Sequence, residues 1–129
     1  MATRICMKVE HLRKLGYQSL EDWMSHEDNI YVGRHGRIFI TENDEKRIFH
    51  YGASIFANPF KVDKKGKDGK IIKLDGTVEE CVKKYEKYLV SKPELIDKLG
   101  ELKGKNLGCF CPPDSVCHTD VLIKQINIQ

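Results

Sequence analysis

No stretch of this sequence is long and apolar enough to cross a bilayer. Its apolar runs, such as Ile55-Phe56-Ala57 and Val121-Leu122-Ile123, end after three residues, whereas a spanning helix needs about 20. The N-terminal segment also lacks the apolar stretch of a secretory signal. Charge of one sign is missing: 22 basic residues against 19 acidic leave a net charge of +3. No global field therefore draws in nucleic acid, and any anion site must be local. A disulfide framework is absent too. The five cysteines are odd in number and three of them crowd into Cys109–Cys117, unlike the scattered pairs of a small secreted scaffold. Repeats and low-complexity segments are missing as well. Together these absences predict reduced thiols, an intracellular location in cytoplasm or nucleus, and no membrane partner.

A length of 129 residues with 40% hydrophobic content suits one α/β domain over residues 1–129, a small sheet flanked by helices around one modest core. Alternation over Arg4–Val9 predicts a strand. Ser19, with Asp22 three residues on, opens a short helix carrying Leu20, Trp23 and Met24. Asn29–Gly33, Arg37–Thr41 and Ile48–Tyr51 have the β-branched and aromatic character of strands. The polar run Glu42–Arg47 between the last two reads as a surface hairpin or excursion. Residues 61–76 carry five lysines beyond Lys61 and three glycines, with Asp63, Asp68 and Asp75 diluting the charge. That pattern fits a solvated loop, or more sharply a phosphate-attracting flap.

Thr77-Val-Glu-Glu80 is a capping box, and Val78, Cys81, Val82, Tyr85 and Leu89 follow as one apolar helical stripe. Ser91-Lys-Pro-Glu94 starts a second helix through Leu95, Ile96 and Leu99, with Gly100 as its stop. Leu107–Cys111 reads as a strand halted by Pro112 and Pro113. Asp114 or Ser115 can then cap a last helix bearing Val121, Leu122 and Ile126.

The residues able to carry chemistry lie at that strand–turn–helix. Cys109 and Cys111 would share a strand face, with Cys117 and His118 at the start of the helix. Cys109, Cys111, Cys117 and His118 are the donor set of a Cys₃His zinc centre. Against that, adjacent residues on a regular helix diverge by about 100°. A second reading is an activated thiol: Cys117 near a helix N-terminus, His118 as acid or base, and Asp120 accepting from donors at the helix start. A third is plain packing of cysteines as small core residues. Elsewhere, Gly33-Arg34-His35-Gly36 offers a flexible turn with a guanidinium suited to phosphate or carboxylate. Asn58-Pro59-Phe60 reads as a rigid turn anchored by its aromatic residue.

Taken together, Asn29-Ile-Tyr-Val-Gly-Arg34, Ser54-Ile-Phe-Ala-Asn-Pro-Phe60, Glu101-Leu-Lys-Gly-Lys-Asn-Leu-Gly-Cys109 and Cys117-His-Thr-Asp120 resemble a domain-of-unknown-function family marked by Asn-Pro-Phe and Cys-His-x-Asp motifs. The resemblance runs from about Leu20 to the end. It implies a compact α/β domain related to nucleotide-handling folds, with Gly33, Arg34, Asn58, Pro59, Phe60, Cys109, Cys111, Cys117, His118 and Asp120 as motif residues. Phe110 stands where members often have tryptophan. Thr119 stands where they have a small residue, which leads to the expectation that it crowds a ligand.

The expectation is a domain that binds a nucleotide-type or phosphate-bearing small molecule. Gly33, Arg34 and the Asn58-Pro59-Phe60 turn would hold the anion, and Cys117, His118 and Asp120 would supply reactive groups. The lysine- and isoleucine-leaning composition looks like that of a large DNA virus protein, asfarvirus-like for example. A viral source would make interference with host transcription or interferon signalling, through a host protein partner, the rival expectation. A zinc-stabilised structural domain is the third.

Overall fold

The structure is a computed structural model that describes residues 2–128, the side chain of Glu42 excepted. In chain order it runs β1 (Thr3–Cys6), α1 (Val9–Lys14), α2 (Leu20–Met24), β2 (Asn29–Tyr31), β3 (Gly36–Glu42) and β4 (Glu45–Tyr51). There follow β5 (Lys64–Lys65), β6 (Ile71–Ile72), α3 (Val78–Val90), α4 (Pro93–Lys98) with a 3₁₀ turn over Leu99–Leu102, β7 (Asn106–Cys109) and α5 (His118–Ile128). The chain is a mixed α/β fold.

Its centre is a three-stranded parallel sheet in the order β1-β7-β2. Parallel neighbours cannot be joined by a hairpin, so helices carry the crossovers and cover both faces. β7 sits in the middle, with Cys6 opposite Cys109, Ile30 opposite Leu107 and Tyr31 opposite Gly108. Leu107 packs with Tyr85, Leu89, Leu99, Leu102, Leu122 and Ile126, from α3, the 3₁₀ turn and α5. Met7, Leu12, Leu20 and Trp23 form the second cluster around α1 and α2. Trp23 is 0% exposed, and burying one such side chain is worth roughly 1.5–3 kcal/mol. Gly108 is what lets it approach: a Cβ there would meet Cη2 of Trp23 at 2.6 Å and collide with the Met7 sulfur.

The capping box of α3 forms as its sequence requires: Thr77 accepts from Glu80 N and Glu80 from Thr77 N, each at 3.2 Å. Pro93 occupies the first turn of α4. Other expectations are corrected. The first strand ends at Cys6 rather than Val9, because Val9 opens α1, a six-residue helix with no side-chain cap that is anchored by fully buried Leu12. The hairpin expected over Glu42–Arg47 forms but is tighter than that run, since charged Glu45, Lys46 and Arg47 already belong to β4. Asn43 and Asp44, at φ 52° and 64°, make the two-residue left-handed turn that matches strand twist in a hairpin. Gly100 does not stop the chain's winding, which continues through it as the 3₁₀ turn. The lysine-rich segment holds a two-stranded ribbon, β5 with β6. β7 ends at Cys109, so Cys111 lies beyond the strand. Neither Asp114 nor Ser115 starts the last helix, which begins at His118.

Candidate functional site

Pro112 and Pro113 end the ladder after β7, and the chain turns with Ser115 N donating to Pro112 O at 3.0 Å. Cys117 then flanks α5. The Asp120 carboxylate reaches back one turn to accept from Cys117 N at 3.1 Å, satisfying one of the amides a helix start leaves bare. The same oxygen accepts from Arg4 Nη1 at 2.9 Å, and Arg4 Nη2 donates to Pro112 O at 2.6 Å. Arg4, on β1, therefore clamps both sides of the turn.

This geometry brings three sulfurs together at the carboxyl end of the sheet. Cys117 Sγ lies 2.6 Å from Cys111 Sγ and 3.4 Å from Cys109 Sγ, and the three are mutually within 4.8 Å. All five cysteines are free thiols. Hydrogen bonds from Cys109 and then Cys111 hold the Cys117 thiol well below its ordinary pKa, with burial opposing and Thr119 assisting. Hydrogen bonding to Cys109 and Cys117 pushes Cys111 up correspondingly. Of the three thiols, Cys117, beside the positive end of α5, is the one whose deprotonation this arrangement favours. Cys6 is opposite Cys109 in register but outside the trio.

His118 is buried, and burial lowers its pKa against the opposing effect of its bond to Val32. Its Nε2 lies 2.8 Å from Val32 O. A carbonyl only accepts, so Nε2 carries the proton and Nδ1 presents its lone pair 3.6 Å from Cys117 Sγ. His118 is not among the ligand atoms within 4.8 Å of one another, so a metal held by Cys109, Cys111 and Cys117 does not include it as placed. Three converging thiols can nonetheless hold a metal.

Above the sulfurs opens a cavity of about 310 Å³, inside the range of small-molecule sites. Its wall brings together Gly33 and Arg34, Asn58 and Phe60, and Cys109, Cys111, Cys117 and His118. Arg34 donates from Nε to Asn58 O at 2.8 Å and from Nη2 to Phe60 O at 2.6 Å. It thereby staples the two turns that sequence reasoning treated separately. Asn58 Oδ1 accepts from Phe60 N at 2.9 Å, closing the turn around Pro59. Gly33 is required because a Cβ would lie 2.6 Å from Cζ of Tyr31. Val62, beside the lysine-rich ribbon, also lines the cavity.

Pro59 and Asp120 do not line the cavity. Asp120 faces Arg4 and acts through the Cys117 backbone. Thr119 is fully buried and outside the lining, so it does not crowd a ligand there. Sequence reasoning missed Arg4, Tyr31 and the Val32 carbonyl. Tyr31 donates its hydroxyl to Arg34 O at 2.6 Å. Arg4 lies outside every motif, Tyr31 and Val32 lie inside Asn29-Ile-Tyr-Val-Gly-Arg34 without a role being read for them, and each acts through a partner set by the fold.

Residues 17–128 match the family described as a domain of unknown function, DUF4326. The chain belongs to that family. Among curated proteins, this DUF4326 chain is 39% identical over 69 residues to the uncharacterized protein R718 of Acanthamoeba polyphaga mimivirus. The match covers 48% of the chain and 52% of the relative, so the chain spans about half the length of the curated relative it matches. That similarity supports the link to large DNA viruses. No solved structure matches the DUF4326 chain.

Proposed function

We propose that this DUF4326 domain binds a phosphate-bearing, nucleotide-type small molecule in the cavity and sets it against the Cys117 sulfur. The observation that carries the reading is the cavity wall itself, where residues from Gly33-Arg34, Asn58-Pro59-Phe60 and the cysteine segment meet around one space. The fork of Arg34 onto two carbonyls fixes its plane and leaves Nη1 without a protein acceptor among the described residues, ready for an anion. The start of α5, whose His118 lines the same cavity, adds its amide dipoles at the carboxyl end of a parallel sheet. Cys117 is the nucleophile of this reading and His118 Nδ1 the base beside it.

Calorimetry with a panel of nucleoside phosphates and sugar phosphates tests it. At least one should bind, and Arg34→Ala should weaken binding by about tenfold or more, the equivalent of one charge-assisted hydrogen bond. A panel that shows no binding and no change with Arg34→Ala refutes it.

The sulfur trio supports a second reading, a zinc-stabilised structural domain. Its expected signs are one equivalent of zinc by elemental analysis and unfolding by a chelator, because metal binding and folding are linked. Protein free of metal with an unchanged melt in chelator refutes this reading.

A further inference from the structure

The geometry points to a dithiol–disulfide activity that the ligand reading does not require: we propose that Cys111 and Cys117 form a reversible disulfide by exchange with small-molecule disulfides of the glutathione type. Two separations decide between bridging by a metal and bridging by a bond. Zinc–thiolate bonds of about 2.3 Å place tetrahedral sulfurs roughly 3.8 Å apart. The 3.4 Å of Cys109–Cys117 is near that edge, whereas the 2.6 Å of Cys111–Cys117 is far inside it and closer to the roughly 2.05 Å of a disulfide. The turn through Pro112 and Ser115 folds back between the two cysteines and brings their sulfurs together.

Access assigns the order of events. Cys111 is half-buried, while Cys109 and Cys117 are each 1% exposed. Cys111 passes its proton to the Cys117 sulfur 2.6 Å away as it attacks one sulfur of the incoming disulfide, forming a mixed disulfide and releasing the first half as a thiolate that takes a proton from water. Cys117 then attacks the Cys111 sulfur and expels the second half as thiol, giving up its own proton. Two protein thiols are oxidised to one disulfide, and one small-molecule disulfide is reduced to two thiols. Cys109 is fixed at the end of β7 by its pairing with β1 and stays reduced. Both bonded sulfurs line the cavity, so the oxidised form presents a floor without the Cys117 nucleophile.

The test incubates the reduced, folded full chain with oxidised glutathione, quenches in acid and maps the peptides. Free thiols should fall from five to three, with one peptide pair linked through Cys111 and Cys117. Cys117→Ser should trap glutathione on Cys111, and Cys109→Ser should still close the bond. The wild-type map stands even where a variant folds poorly. A persistent glutathione adduct with no internal bond, a bond through Cys109 instead, or five unreactive thiols, as a co-purified metal ion would produce, each overturns the proposal. None of these results depends on whether a phosphate-bearing ligand binds.

Discussion

Gly108→Ala tests whether the middle strand is held against Trp23 as described. The new methyl would meet Trp23 Cη2 at 2.6 Å and Met7 Cγ at 2.8 Å, besides colliding with the Met7 sulfur. Trp23 is 0% and Met7 1% exposed, so both sit in a packed cluster where neither has open space to occupy. The methionine can turn about its flexible chain, but the indole is a rigid plate, and part of the overlap must be relieved by moving β7. Overpacking of this kind costs about 3 kcal/mol, the upper part of the usual range, because two buried side chains are struck at once. At about 4 °C per kcal/mol for a chain of this size, the melting temperature should fall by roughly 12 °C.

The assay comes with the protein, since Trp23 is its only tryptophan. Its fluorescence reports the packing that the substitution disturbs, and urea melts at this wavelength give the free energy. Gly100→Ala is the control: a Cβ there has nothing within 4 Å, so its melt should match the parent or rise slightly. A Gly108→Ala protein melting within a degree or two of the parent would refute the placement of Trp23 over β7. The sulfur trio would lose its support with it, because Cys109 is the next residue on that strand.

Tyr85→Phe should cost about 1–2 kcal/mol in urea unfolding, because the hydroxyl of this fully buried residue donates to Phe56 O at 2.7 Å and its loss leaves that carbonyl unpaired. Arg34→Lys keeps the charge but cannot span the Asn58 and Phe60 carbonyls, so calorimetry should show ligand binding weakened almost as far as by Arg34→Ala. Asp63 accepts from Leu74 N at 2.6 Å and Gly76 N at 3.1 Å, bonds led by Leu74 that lower its pKa. A carboxylate depressed on folding stabilises above its unfolded pKa and loses that effect as pH falls through the lower folded value. Hydrogen exchange should therefore show Leu74 and Gly76 amides protected at neutral pH and released in strong acid, with Asp63→Ala, which removes the acceptor, releasing them at every pH.

The parts of this fold legible in the sequence are those whose causes lie within one turn of chain. Thr77 and Glu80 cap α3 from three residues apart, and the Cys81, Tyr85 and Leu89 stripe follows from helical spacing alone. Helix α1 was illegible for the converse reason. It has no side-chain cap, and a single buried leucine fixes it through tertiary contact, which propensity does not encode. The hairpin of β3 and β4 was half legible: its apolar residues marked two strands, but Asn43-Asp44 lay inside a charged run that concealed how tight the turn is.

The candidate site divides along the same line. Cys109, Cys111, Cys117 and His118 are close in sequence and were found there. What the sequence could not supply is that the guanidinium of Arg34 reaches 24 and 26 residues onward to hold the Asn58 and Phe60 carbonyls, or that Arg4 reaches 116 residues to Asp120. Adjacent Cys117 and His118 do part as metal ligands, as helical spacing predicts, since His118 is not among the ligand atoms that lie together. The cause is different, because α5 begins at His118 and Cys117 is free of helical spacing. Its sulfur can then turn to the cysteine trio while His118 turns its protonated nitrogen to Val32. One residue's difference in where a helix starts therefore decides which way the Cys117 sulfur turns, and the Asp120 carboxylate binding back to Cys117 N holds that start in place.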